Sequence, residues 1–228
     1  MIGWVLRALR RTQGLGRVLI SVDDPEVLAG IAEVQALRSE DRLEILESGP
    51  TPSASVVDAL VRRSPGEALL VTTADHPLIT GAMIEHFWSQ ARAAVQADVV
   101  VGVVAAETVR ELYPGARRTF IPLSDGWFTG ANLFALRGGR ASQAAEFWRK
   151  ADHIRKRPWR LARLLGPTTL ARFAVGRLDL SGAMRRVSRA MDAEVEAVVL
   201  PFPECALDVD RPADLELARR VLAARAAM

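Results

Sequence analysis

The sequence predicts an α/β fold, with a mostly parallel central sheet and helices on both faces. Two observations carry that prediction. Strand-like runs rich in apolar residues, such as "EALLVTTAD" (67–75) and "ADVVVGVV" (97–104), alternate with segments of helical period. Strands that are apolar throughout need cover on both faces, which helices between parallel strands supply. A third observation sets the scale: 228 residues, half of them hydrophobic and a quarter charged, suffice for one domain with its own core.

The chain opens on a helix, because Ile2, Val5, Leu6 and Leu9 share helical spacing while Arg7, Arg10 and Arg11 fall elsewhere. "RVLISVDD" (17–24) reads as a β-branched strand ending on acids, 26–38 as a helix, and "RLEIL" (42–46) as a brief strand. The turn-rich "SGPTPSAS" (48–55) leads into a helix over 56–63. A strand over 67–75, an amphipathic helix over 80–94 and a strand over 97–104 come next. "RRTFIPL" (117–123) and "WFTGANLFALR" (127–137) around "SDG" predict a small antiparallel excursion. A helical insertion around 141–191 is interrupted at Pro158 and at Gly166–Pro167. Strands over 194–200 and 206–210 and a helix over 212–226 complete a single domain spanning 1–228.

Composition narrows the class. No apolar stretch approaches the roughly 20 residues that span a bilayer. The basic amphipathic start lacks the apolar centre and cleavage site of a secretory signal. The single cysteine, Cys205, excludes an internal disulfide framework and any multi-cysteine metal site. These features predict a cytoplasmic protein. The net charge of +3 rests almost wholly on arginine, with lysine only at Lys150 and Lys156. No aromatic-rich sheet motif or helix-turn-helix signature accompanies it, so nucleic acid is not an expected partner.

In an open parallel sheet, ligands gather beyond the carboxyl ends of the strands. That rim collects "DD" (23–24), the "SGPTPSAS" loop, "TADHP" (73–77) and "DVD" (208–210). Asp75 and Asp210 are therefore expected to face each other across one cleft despite their separation in sequence. Carboxylates completed by water and phosphate oxygens suit Mg²⁺. Each aspartate also has a simpler reading as the cap of the helix after it. In the same way Ser55 and Asp58 fit a capping box, while hydroxyls and N–H groups at a helix start equally suit a ribose, base edge or phosphate. Gly130 reads as a bulge or a close backbone approach, and Asn132 beside it is placed to bond an acceptor substrate.

The order of these motifs resembles the molybdenum-cofactor guanylyltransferase-like (MobA-like) nucleotidyltransferases, a family with a glycosyltransferase-A-type, nucleotide-diphospho-sugar transferase fold. "TADHPLIT" looks like the family's acidic metal-binding motif, and "GPTPSASVVDAL" is similar to its base-proximal loop and helix. "TGANLFALR" resembles an acceptor-lining strand, and "ALDVDRPADLELAR" the terminal Asp–x–Asp–x–Pro–x–Asp–Leu segment. The resemblance implies Asp75 as catalytic metal ligand, with Asp210 and Asp208 as further carboxylates. It places Ser53 and Ser55 near the base or ribose. It implies Mg²⁺ or another divalent cation, and transfer of a nucleotidyl group from a nucleoside triphosphate to a small phosphorylated acceptor with loss of pyrophosphate.

One departure stands out. The family begins with a strand and a Gly–Gly–x–x–x–Arg–Met–Gly loop that holds the triphosphate, whereas "MIGWVLRALRR" matches only the segment beyond that loop. Two expectations compete: a native start about 20–30 residues upstream, or a domain that keeps the fold without the chemistry. Loss of a central strand would leave two sheet edges unpaired. A catalytically silent binding or regulatory domain, or a glycosyltransferase of the same fold, are thus the alternative functions.

"FWRKADHIRKRPWRLARLLG" (147–166) interleaves Trp148 and Trp159 with seven cationic residues. It reads as a solvated helical hairpin, as a contact with an anionic membrane surface, or as a site for a phosphorylated acceptor.

Overall fold

The computed structural model of the protein describes residues 1–64, 66–152 and 166–227. The first helix, α1 (Ile2–Arg11), leads into β1 (Val18–Val22), a 3-10 turn (Pro25–Leu28) and α2 (Ala32–Ser39). Then come β2 (Leu43–Glu47), α3 (Pro52–Val61), β3 (Leu69–Val71), α4 (Gly81–Ala93), β4 (Val99–Ala105) and α5 (Ala106–Leu112). The hairpin β5 (Ile121–Leu123) and β6 (Gly126–Leu136) precedes α6 (Ala141–Asp152), α7 (Pro167–Ala174) and α8 (Leu180–Met191). The chain closes with β7 (Val195–Val199), a second 3-10 turn (Pro203–Ala206) and α9 (Pro212–Ala226).

The described strands form two sheets. β1 and β2 pair in parallel, from Val18 opposite Leu43 to Val22 opposite Glu47. The larger sheet runs β3-β6-β4-β7, with β5 added to β6. β3, β4 and β7 share one direction, and β6 runs against both β3 and β4. The antiparallel strand is therefore inserted between parallel ones rather than appended at an edge. Among the described residues β1 pairs only with β2, and β3 only with β6.

Helix α1 joins the two sheets because its apolar stripe is wide enough to serve both. Leu6 packs with Val18, Ile20, Val34 and Leu37 of the smaller unit. Val5 and Ala8 pack with Leu78, Ile84 and Phe87 of the main core. Ile84 and Phe87 are fully buried; burial of such a side chain stabilises by about 2 kcal/mol. α4 is thereby pressed onto the sheet, and the loop that precedes it, which carries Asp75, is fixed at its far end. Among the described residues no helix is long and apolar enough to cross a membrane.

Several elements differ from expectation. The 26–38 helix is broken at Gly30, whose φ of +79° no helical residue adopts. β3 ends at Val71 rather than at Asp75. Residues 106–112 form α5, a seven-residue helix too short to show a period. The expected strand over 206–210 is absent: a 3-10 turn, with Pro203 at its first position, occupies 203–206 and the chain then runs on without a ladder. That irregular run carries two of the candidate carboxylates.

Candidate active site

Asp75 comes after β3, where the ladder has ended. The Thr73 hydroxyl donates to its carboxylate, and its backbone carbonyl accepts from Val209 N–H at 2.9 Å. This backbone bond lays the 208–210 segment alongside the loop that follows β3. As a result, a carboxylate oxygen from each of Asp75, Asp208 and Asp210 lies within 4.8 Å of the other two. Asp75 and Asp208 are half-buried and Asp210 is exposed.

Neither capping alternative holds. α4 is capped by Thr80, whose hydroxyl accepts from Met83 N–H at 3.3 Å. α9 is closed by Asp214, which accepts from Arg211 N–H at 3.1 Å. Asp75 and Asp210 stand outside both helices, and neither has an ion-pair partner among the described residues.

Asp208 is held from two sides. Arg118, only 7% exposed, places Nη1 at 2.8 Å from Oδ1 and also donates from Nη2 to the Asp208 carbonyl. The same guanidinium lies 3.7 Å from Asp214. Asn132 Nδ2 donates to the other Asp208 oxygen at 3.3 Å. Asn132 reaches it from a bulge. Val101 faces Phe134 and Val103 faces Gly130, so β6 carries two more residues than β4 across that span. Asn132 sits in this excess at φ +48°, a left-handed conformation that Asn tolerates better than most residues.

His76, next to Asp75, is fully buried, and neither ring nitrogen has a hydrogen-bond partner among the described residues. Burial lowers its pKa below the ordinary value, against the opposing charges of Asp208 and Asp75.

The serines have local partners. Ser55 Oγ accepts from Gly49 N–H at 2.9 Å, and the buried Ser53 hydroxyl shares a 3.0 Å hydrogen bond with Thr51. The expected Ser55–Asp58 capping box is not what starts α3: Thr51 is the cap and accepts from Ala54 N–H at 3.2 Å. Gly49 lets the loop close, since a Cβ there would lie 2.8 Å from the Ala54 Cβ. Of the acids at 23–24, Asp24 caps the first 3-10 turn and Asp23 accepts from the Ser48 hydroxyl.

Most of the basic run at 147–166, including His153 and Trp159, lies outside the described residues. Within them, Trp148 packs against Phe134 at 4.9 Å between ring centroids, and Arg149 pairs with Glu146.

The donor set fits a hard divalent cation: three carboxylates converge, and one of them is already oriented by Arg118 and Asn132. Sequence reasoning singled out the three carboxylates, and Asn132 for an acceptor rather than for its contact with Asp208, and it missed Arg118 and Thr73. Arg118 lies in "ARRTF", where nothing in the pattern distinguishes a buried arginine from its exposed neighbours.

Comparison with known proteins agrees with this architecture. Residues 1–193 match the family described as the MobA-like NTP transferase domain. Among solved structures, a hypothetical transferase from Thermus thermophilus is 31% identical with a TM-score of 0.79, covering 94% of this chain and 85% of its own. CMP:2-keto-3-deoxy-manno-octonic acid synthetase, complexed with CTP, is 17% identical with a TM-score of 0.57, over 98% of this chain and 88% of its own. The 2-C-methyl-D-erythritol 4-phosphate cytidylyltransferase of Francisella tularensis is 12% identical with a TM-score of 0.59, over 96% and 86%. These last two share the fold. No curated protein matches the chain significantly.

Proposed function

Because the chain belongs to the MobA-like NTP transferase domain family, we propose that it is a metal-dependent nucleotidyltransferase acting on a small phosphorylated acceptor. The observation that carries this reading is the convergence of Asp75, Asp208 and Asp210 within 4.8 Å. An acceptor phosphate oxygen attacks the α-phosphorus of a nucleoside triphosphate. The new P–O bond forms as the α–β bridging P–O bond breaks, and pyrophosphate leaves with that electron pair.

Mg²⁺ held by the three carboxylates would supply neutralisation of charge on the phosphate oxygens. The chain's own residues do the positioning. Thr73 and the Val209 backbone fix Asp75, while Arg118 and Asn132 fix Asp208. Pre-oriented donors need no rearrangement during the reaction, and that is where such a site gains rate. In this reading Ser53 and Ser55 lie near the base or ribose, and Asn132 near the acceptor.

Pyrophosphate release from each of the four nucleoside triphosphates, with Mg²⁺ and a panel of phosphorylated acceptors, tests the proposal. CTP comes first, since two proteins of this fold are named for cytidylyl chemistry. Acceptor-dependent release that Asp75→Asn abolishes supports it. No release with any triphosphate, or equal release by the variant, contradicts it and favours a silent domain.

A further inference from the structure

Helices α7 and α8 enclose a cleft of about 190 Å³, lined by Thr168, Thr169, Arg172, Arg185, Arg186 and Arg189 among others. Four guanidinium-bearing side chains thus converge from two elements. Among the described residues no carboxylate pairs with Arg172, Arg185 or Arg189. Arg185 Nη1 donates to Ser181 at 3.0 Å, and Arg172 donates to the Arg177 carbonyl at 3.2 Å. These contacts aim the side chains; Asp179 acts on Arg185 through its charge without an ion pair, and lies behind the Ser181 hydroxyl. Asp179 instead caps α8, accepting from Gly182 N–H at 3.2 Å and from the Ser181 hydroxyl at 2.8 Å. An adjoining cleft shares Arg185 and Arg189 but includes Asp192 and Glu194, whereas the first is lined, among the described residues, by four arginines and no carboxylate.

A second feature points the same way. α7 starts at Gly166 without a side-chain cap, and Pro167 is in its first turn. The first-turn amides of Thr168 and Thr169 have no partner within the helix, and both residues line the cleft. Gly166 has a φ of +77°, and a Cβ there would lie 1.9 Å from Arg186 Nη2. The positive φ favours glycine here, and the Arg186 guanidinium lies against it. The cleft is also anchored: Leu180 N–H donates to Asp125 at 3.0 Å, and Ser124 N–H to the Leu178 carbonyl at 2.9 Å. Both bonds tie the α7–α8 connection to the β5–β6 turn.

We propose that this cleft binds the phosphate or diphosphate group of a small organic anion, separately from the aspartate cluster. A tetrahedral oxyanion accepts from several guanidiniums and helix amides at once, and its charge offsets their repulsion. A carboxylate has one charge and two oxygens, too few for this donor set. If the nucleotidyl-transfer reading holds, the group belongs to the acceptor; the cleft's chemistry does not depend on that reading.

The test is calorimetric titration of the whole chain, without divalent metal, using inorganic phosphate and pyrophosphate as probes. Wild-type protein should bind pyrophosphate at one site, more weakly at high salt. Arg185→Gln/Arg189→Gln should lose about tenfold or more in affinity, Arg185→Lys/Arg189→Lys should recover part of it, and Asp75→Asn should change nothing. Equal affinity in the Gln double variant, or no binding by wild type, overturns the proposal. Flotation with phosphatidylcholine vesicles, with and without phosphatidic acid, separates the sources. Arginine-dependent binding to the acidic vesicles without pyrophosphate binding would assign the site to a lipid headgroup and overturn the small-ligand assignment. Loss of turnover in Asp75→Asn with phosphate binding intact keeps this site distinct from the catalytic one.

Discussion

Val209 donates its backbone N–H to the carbonyl of Asp75 at 2.9 Å. Through this bond two segments more than a hundred residues apart in sequence share one geometry. Neither aspartate flanking it caps a helix, so their proximity has no local structural purpose. The chain instead concentrates negative charge at a strand end and gives one carboxylate, Asp208, two dedicated donors.

Arg118 should be the residue on which that arrangement most depends. It is buried between Asp208 and Asp214, and removing it leaves two carboxylates short of a partner. Arg118→Met should lower unfolding free energy by about 3 kcal/mol in urea titrations. Adding Asp208→Asn to that variant should restore part of the loss, because the orphaned charge is gone. A double variant as unstable as the sum of the two single ones would mean the residues do not interact.

Asn132 separates geometry from chemistry. Its φ of +48° costs a non-glycine residue some strain, which Asn tolerates better than Ala. Asn132→Gly should leave stability within about 1 kcal/mol of wild type, and Asn132→Ala should lower it by about 1 kcal/mol. Both should reduce turnover, since both remove the donor to Asp208. Full turnover in the Gly variant would show that this contact is dispensable.

The chain has a single tyrosine, so its phenolate absorbance reports one site. Burial pushes the Tyr113 pKa up to about 12, and its hydrogen bond to Glu204 adds to the shift. The unfolded phenol titrates near the ordinary value of 10.0. A folded pKa above the unfolded one gives stability that is present below the unfolded value and lost as pH rises from there through the folded value. Native protein should therefore ionise near pH 12, denatured protein near pH 10, and Tyr113→Phe should blunt the loss of stability across that window. Coincident native and denatured titrations would contradict the burial of the Tyr113 hydroxyl and its contact with Glu204.

Burial likewise raises the Cys205 thiol to about 12. In the native protein it should resist thiol reagents at neutral pH and react only on unfolding. Rapid labelling of folded protein would show that the 3-10 turn at 203–206 opens readily.

The apolar runs made most of the sheet legible, because a doubly covered strand such as "VVVGVVA" has no other comfortable setting. They did not reveal that β6 lies between β3 and β4, since pairing order depends on contacts remote in sequence. Asp75, Asp208 and Asp210 were legible as acids placed between strand-like and helix-like segments. The actual course of 206–210 was not: the apolar residues Ala206 and Leu207 are buried there without a ladder. Arg118 was hidden because burial of a charge is decided by its partners, here Asp208 and Asp214. The α7–α8 cleft was hidden for a related reason. Its arginines are spread over two helices, and no sequence pattern marks them as neighbours.

The most direct test is Mn²⁺ binding to the isolated protein, monitored by electron paramagnetic resonance. Free Mn²⁺ signal should fall as wild-type protein is added and stay high with Asp75→Asn or Asp210→Asn at the same concentration. Equal binding by all three proteins would contradict the assignment of these carboxylates as one cation site.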